Sequence, residues 1–163
     1  MYTTFGLILY LMKKVGYLIV FLIHSINGSS QDLFLHSDTL NNQRLIGVTS
    51  TVTLAWVGSM TALSQIWYKD IPKSKFHTFD DSKNWLQMDK VGHFYAAYKI
   101  NHLTSQSFNW SGLDRKKSVW IGTGVSLGYQ TTFELFDGVS QEWGFSWSDM
   151  GANALGSSSY LSQ

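Results

Sequence analysis

The 163-residue chain contains no cysteine and only one proline, Pro72. Without cysteine, these residues form no disulfide, no cysteine-ligated zinc site and no thiol nucleophile, and they offer no cysteine for a lipid anchor. Because proline kinks or ends a helix, a single proline leaves most of the chain able to be helical. The two absences therefore favour a helical protein without covalent cross-links.

Charge is also scarce, since Asp, Glu, Lys and Arg make up 14% of the chain and its net charge is +1. A soluble domain typically carries roughly 25% of these residues. The basic residues form no clustered face, which argues against a nucleic-acid partner. Aromatic residues are plentiful at 15%. This composition suits either a compact soluble domain with an aromatic core or a protein whose partner is a membrane or another envelope component. It does not constrain the oligomeric state.

Residues 1–30 have the pattern of a signal peptide. Two lysines follow Met12, residues 15–23 are apolar, and the small residues Gly28 and Ser30 precede the expected cleavage point. We therefore expect Met12 to be the true start and the protein to be exported to the periplasm or cell envelope. A retained membrane anchor is the alternative, although a spanning helix needs about 20 apolar residues.

The remaining residues, 31–163, are predicted to form one all-α domain, a small bundle of about four helices. No charged residue occurs between Leu45 and Tyr68, so the first helix is expected to be buried or membrane-associated, with a membrane-spanning helix as the alternative. Small residues four apart in the later helices predict close helix packing. These pairs are Gly122 with Ser126, Gly124 with Gly128, and Ala152 with Gly156. The predicted helices cover about residues 40–68, 85–106, 114–137 and 146–161, and Gly138 is the expected residue after the third.

Ionisable residues recur at helical spacing in the last three helices. Asp89 and His93 are four residues apart and share a helix face, which is expected to continue inward through Ala96, Ile100 and Leu103. If the helix faces meet, an acidic and histidine-containing cluster forms inside the bundle. Its predicted members are Asp89, His93, Glu134 and Asp149 as the hypothetical catalytic set, supported by Lys90, Asp137, Ser146 and Asn153.

Three readings of this cluster stay open. His93 and a carboxylate are suited to acid–base catalysis. One histidine and several carboxylates are also suited to a divalent metal ion at the same residues, although no cofactor is required by any motif. The third reading is a structural hydrogen-bond network, in which Asp89 and Asp149 cap helices and His93 is a satisfied core residue.

The same residues carry a resemblance to a known family. Residues 88–98 contain the pattern DK-x-x-H, residues 129–138 contain E-x-x-DG, and residues 143–156 contain GFS-x-x-D-x-x-x-N-x-x-G. In this order the blocks resemble the YfiM-like predicted periplasmic proteins and lipoproteins over about residues 84–157. A weaker similarity links them to VanZ-like membrane proteins. The resemblance implies helices and an envelope location but no activity, and the chain departs from the family's lipoproteins in lacking cysteine.

The sequence thus predicts an exported, helical cell-envelope protein with a structural or interaction role. One alternative is a membrane-associated enzyme that acts on a lipid or cell-wall precursor through the Asp/His/Glu cluster. The other alternative is an integral membrane protein.

Overall fold

Four α-helices follow one another in the computed structural model, which describes residues 35–82 and 85–163. The predicted signal peptide, residues 1–30, lies outside the described residues. The described part contains no strand, only two isolated bridges between loops, so the prediction of a small all-α bundle is confirmed. The helices are α1 (Asn42–Ile66), α2 (Met88–Trp110), α3 (Arg115–Gly138) and α4 (Trp147–Leu161), with a short 3-10 turn at Trp85–Gln87 before α2.

Side-chain caps begin three of the helices. The Ser146 hydroxyl accepts a hydrogen bond from the Asp149 backbone N–H at 3.1 Å, as expected for a capping box at the start of α4. Asn41 and Asp114 cap α1 and α3 in the same way. Before α2, Gln87 has a φ of 64° and makes no side-chain cap. The expectation that Asp89 caps this helix is therefore wrong.

The end of α3 also differs from the prediction. Gly138 is the last helical residue and not a left-handed residue beyond the helix. Among the described residues, the glycine with a positive φ is Gly112, at 85° in the turn between α2 and α3. A side chain at Gly112 would collide with the Thr39 backbone. The turn therefore needs glycine both for its backbone conformation and for space.

Contacts along its length place α1 beside α3. Tyr129 of α3 packs edge-on against Trp56, and its hydroxyl donates to the Ser59 hydroxyl at 3.1 Å. Tyr68, just beyond the end of α1, stacks on Phe136 in the last turn of α3. The two helices therefore run in the same direction, and α1 forms one side of the bundle.

Small residues allow α2, α3 and α4 to approach closely, as their spacing predicted. Gly122 lies against the side chains of Asn101 and Ser105, while Gly156 lies against the backbone of Phe94. Gly124 is an exception, since nothing lies near the position that its side chain would take. Because a larger residue at either close contact would push two helices apart, these glycines fix the helix separation.

The interior of the bundle is mainly polar. Asn101 is fully buried, donates to Thr123 Oγ1 and the Ser157 carbonyl at 3.0 Å, and accepts from the Ser105 hydroxyl at 2.9 Å. The expected inward face through Leu103 is wrong, since Leu103 is 61% exposed. The buried face of α2 lies one residue further on, where buried Ala97 precedes Asn101.

Large apolar side chains lie mostly on the outside. Only five apolar side chains are buried in the described residues, against fifteen polar or charged ones. Leu54, Trp120 and Leu155 are each more than half exposed. Helices that pack in water usually show the opposite distribution. Small and polar residues between helices, with apolar residues outside, are typical of packing in apolar surroundings.

Candidate functional site at the carboxylate-rich end of the bundle

The predicted catalytic residues meet at one end of the bundle. The start of α2, the end of α3 and the start of α4 converge there. His93 Nε2 lies 3.6 Å from Glu134 Oε1, 3.7 Å from Asp89 Oδ1 and 4.0 Å from Asp149 Oδ2. The structure thus brings together four residues that are up to 60 positions apart in the sequence.

Asn153 and Gln130 orient the His93 ring. The Asn153 carbonyl oxygen Oδ1 accepts a hydrogen bond from Gln130 Nε2 at 2.8 Å and lies 3.2 Å from His93 Nδ1. An oxygen that accepts from both groups requires the proton on Nδ1. The neutral ring then has its lone pair on Nε2, the atom that faces the carboxylates.

Lys90 joins three of the carboxylates from the other side. Its ammonium lies 2.7 Å from Asp81, 2.8 Å from Asp149 and 3.3 Å from Asp89, and its side chain is 12% exposed. Burial alone would lower the pKa of Lys90, but the hydrogen bonds to Asp149 and Asp81 raise it well above its usual value. The lysine is therefore a permanent cation within the cluster.

Asp81 is the member that the sequence did not reveal. Its Oδ1 accepts hydrogen bonds from the Ser146 and Ser148 hydroxyls at 2.7 and 2.8 Å. Burial opposes ionisation, but the hydrogen bonds from Lys90 and these serines lower the pKa of Asp81 well below its usual range. It lies in the loop before α2, where no helical spacing links it to the other members.

Glu134 is almost completely buried, with an exposure of 1%. Its Oε2 accepts the Ser146 backbone N–H at 3.1 Å. Burial raises the pKa of Glu134 to about 8 against the opposing effect of this bond, and the nearby carboxylates of Asp149 and Asp137 raise it further. Glu134 is therefore mostly protonated at neutral pH in the cation-free protein.

Two further carboxyls show raised pKa values. Burial raises the pKa of Asp137 to about 6, although the Tyr68 hydroxyl donates to it at 2.5 Å and lowers it in part. Burial also raises the pKa of Asp149, and the hydrogen bond from Lys90 works in the opposite direction. Five carboxyl groups thus lie near one lysine and one histidine, an excess of negative charge that must be relieved by protons or by a cation.

We expect the melting temperature of the cation-free protein to fall as pH rises from 7 to 9, and Glu134→Gln to reduce that fall. The folded state holds the Glu134 proton up to about pH 8, whereas the unfolded state releases it near pH 4.3. A raised folded-state pKa stabilises the protein at low pH, and this stabilisation is lost as pH passes through the folded-state value. Thermal unfolding in a chelator, followed by circular dichroism, measures the effect.

The ionisable groups near Glu134 include His93 from α2, Asp149 from α4, Asp137 from its own helix and Asp81 from the loop before α2. Over the tested range, the Asp137 carboxyl is already ionised, so Glu134 dominates the change. Glu142→Gln, at an exposed carboxyl on the pocket rim, serves as the matched control and should leave the pH dependence as in the wild type. Equal slopes for all three proteins would contradict the assignment to Glu134.

A cavity of about 620 Å³ opens beside the cluster. One part of its wall is apolar and the other is ionisable. The apolar part consists of Trp67, Phe79, Met88, Phe133 and Trp143, while the ionisable part consists of Asp81, Asp89, His93, Asp137, Glu142 and Asp149. A molecule with an apolar part and a polar end matches such a wall.

Two of the predicted supporting residues, Ser146 and Asn153, hydrogen-bond members of the cluster. Ser146 hydrogen-bonds both Glu134 and Asp81, and Asn153 holds the His93 ring. Sequence reasoning missed Asp81 and the aromatic wall, and it placed Gln130 on the Glu134 face without assigning it a role in the site. Gln130 is four residues before Glu134 and shares its helix face, which was the one local signal for its role.

Comparison with known families gives one match. The model of a family described as "Predicted periplasmic lipoprotein (DUF2279)" matches residues 77–162, just over half of the chain. The match includes the cluster from Asp81 to Asn153, and it confirms the predicted periplasmic or envelope location. The finer resemblance to YfiM-like and VanZ-like proteins stays a prediction. No curated protein and no solved structure matches the chain.

Proposed function

The chain belongs to the DUF2279 family of predicted periplasmic lipoproteins, and we propose that this envelope protein lies in contact with a membrane and holds the polar end of an amphiphilic molecule in its pocket. The single observation that supports this most strongly is the half-apolar, half-ionic cavity beside a bundle with an apolar outer surface. An amphiphile of the envelope, such as a lipid or a cell-wall precursor, has both parts that this cavity accommodates.

The outer face of α1 supports membrane contact. Only Val48 and Met60 of its 25 residues are buried. Ile46, Leu54 and Val57 are each more than half exposed. By length and composition alone, α1 could cross a membrane. Exposed apolar surface of this extent is unfavourable in water, and acyl chains would cover it without needing a specific partner.

The distribution of charged residues also supports contact with a membrane. No charged residue occurs in α3 between Lys117 and Glu134, or in α4 after Asp149. Apart from Lys99 in the middle of α2, the charged residues of the described helices lie near the two ends of the bundle, and Trp67 and Trp120 are exposed on its surface. Apolar bands flanked by charges and tryptophans are typical of surfaces that meet lipid.

The absence of native cysteine allows a clean test of membrane contact. We expect a fluorescent label at Leu54→Cys to be quenched by brominated acyl chains in vesicles of phosphatidylethanolamine and phosphatidylglycerol, and to be shielded from aqueous iodide. A label at Gln141→Cys, in the exposed loop at the ionic end, should show the reverse. Equal access of iodide to both labels would contradict lipid contact through α1.

Carbonate washing of membranes separates contact from spanning. Release of the full chain into the wash would exclude the integral-membrane alternative. Retention of the chain would support it, because an embedded apolar helix is not extracted by high pH. Whichever result is obtained, the fluorescence-quenching experiment still decides whether the outer face of α1 contacts lipid.

Binding of the amphiphile is tested separately. We expect the purified protein, equilibrated with a total envelope lipid extract, to retain a lipid-mass adduct in native mass spectrometry. Phe133→Gln, which removes an apolar wall of the cavity, should lose most of the adduct. Leu155→Gln, an equally drastic change on the outer surface, should retain it. If neither variant loses the lipid adduct, or if both lose it, the proposal that the lipid binds in the cavity is contradicted.

A catalytic role is the second candidate, supported by the orientation of His93. A ring held through Nδ1, with Nε2 facing carboxylates at the cavity wall, has the geometry of a general base. If His93→Gln folds normally and a strain that carries it accumulates one envelope lipid or precursor, catalysis is supported. A normal lipid profile in that strain supports a binding role only.

A further inference from the structure

The Nε2 atom of His93 faces three carboxylate oxygens without a hydrogen bond to any of them. The separations of 3.6, 3.7 and 4.0 Å to Glu134, Asp89 and Asp149 exceed the roughly 2.7–3.2 Å of an N–H···O bond. In the neutral tautomer with its proton on Nδ1, which the Asn153 oxygen favours, the Nε2 lone pair points toward these oxygens. When all three carboxyls are ionised, the Nε2 lone pair and the three carboxylate oxygens around this gap repel one another unless a positive charge fills it.

The separations match the spacing of ligands around a metal ion. Zn–N and Zn–O distances of about 2.0–2.2 Å place tetrahedral neighbours roughly 3.4 Å apart. Ligand atoms of Asp89, His93 and Asp149 all lie within 4.8 Å of one another. The side chains would have to move closer together before their ligand atoms bind one ion, and Glu134 Oε1 lies beside this group, 3.6 Å from His93 Nε2.

Glu134 provides an independent indication of a ligand. Its side chain is 1% exposed, and its Oε1 accepts no hydrogen bond from any described residue while it points toward His93. Buried carboxylate oxygens almost always have a donor. A cation beside Nε2 would satisfy this oxygen.

Lys90 contacts only one of the two oxygens of Asp89 and one of the two oxygens of Asp149. It contacts Asp89 Oδ2 and Asp149 Oδ1, whereas Asp89 Oδ1 and Asp149 Oδ2 face His93. One oxygen of each group is thereby held by the lysine, and the other is directed to the gap. Metal-binding carboxylates and histidines are commonly fixed by partners of this kind, and the Gln130–Asn153–His93 chain does the same for the imidazole.

We propose that Asp89, His93, Asp149 and the inner oxygen of Glu134 form a binding site for one divalent first-row metal ion. One imidazole nitrogen and three carboxylate oxygens suit Zn²⁺ or Mn²⁺ better than ions that prefer sulfur ligands. Asp89, His93 and Asp149 also line the cavity, so an ion held by them would lie at the cavity wall. Metal binding by this cluster does not depend on contact with a membrane.

Zinc titration of the purified full chain tests the site. The probe is Zn²⁺ alone, added after chelator treatment, and the bound metal is measured by equilibrium dialysis and elemental mass spectrometry. We expect one Zn²⁺ per chain. Asp89→Asn, at a half-exposed side chain, and His93→Gln should each weaken binding at least about tenfold, since loss of even an outer-shell partner typically weakens binding 10- to 100-fold.

His102→Gln is the matched control. It is a half-buried histidine on the same helix, packed against Tyr98 and Tyr160 and away from the carboxylates. It should bind zinc as the wild type does. Absence of zinc from the wild-type chain, or equal binding by the His93 and His102 variants, would overturn the proposal.

Discussion

Replacing Lys90 by methionine should lower the free energy of unfolding by about 3–5 kcal/mol, the usual effect of removing one partner from a buried ion pair. The ammonium lies within 2.8 Å of both Asp81 and Asp149, whose side chains are only 10% and 5% exposed. Methionine has a similar length but no charge. The two carboxylates would then repel each other without a counter-ion, and the loop that carries Asp81 would lose its main contact with α2.

Urea unfolding of the full chain in a chelator, followed by circular dichroism, measures this loss. Lys99→Met is the matched control on the same helix, because Lys99 contacts the Tyr95 ring but no carboxylate in the described residues. Loss of such a cation–π contact changes stability by only about 0.5–1 kcal/mol at an accessible site. Similar midpoints for the two variants would show that the Lys90 cluster is not held by charge pairing.

Replacing Gly156 by alanine should destabilise the bundle by about 2–3 kcal/mol, in the range measured for overpacked interiors. The added methyl group would collide with the backbone of Phe94, which cannot rotate away as a side chain can. The helices α2 and α4 would have to separate at this contact. Because His93 directly precedes Phe94 and Asn153 lies about one turn before Gly156, the shift would also loosen the orientation of the imidazole.

Gly151→Ala provides the comparison within the same helix. Nothing lies within 4 Å of the position that its side chain would occupy, and alanine favours a helix over glycine by up to about 1 kcal/mol. We expect this variant to melt slightly above the wild type and Gly156→Ala to melt well below it. If both variants were stabilised, the close approach of α2 and α4 would not exist in solution.

The four helices were predictable because their signals are local. Ser146 and Asp114 hold capping positions that their sequence context indicates, and the single proline lies between α1 and α2. The shared face of Asp89 and His93 follows from a spacing of four residues. The end of α3 was harder, since Gly138 is helical, and a glycine is compatible with both the last helical position and the residue after it.

The polar interior was not predictable from periodicity. The buried face of α2 was expected to include Leu103, yet Asn101 occupies the interior. Apolar periodicity indicates the inner face only when water surrounds the protein. In apolar surroundings, the same pattern can mark the outer face. The sequence therefore shows which face of each helix is apolar, but it does not show whether that face points into the bundle or away from it.

The sequence by itself determined the helices, the lack of disulfides and which ionisable residues share a face, because these depend on residue type and on spacing within one helix. The tertiary structure decided that Asp81 pairs with Lys90 and that each oxygen of Asp89 and Asp149 has a different neighbour. Spacing places a residue on a helix face, but only packing determines which other helix or loop lies opposite that face. The gap beside His93 exists for this reason, since residues from three helices surround it.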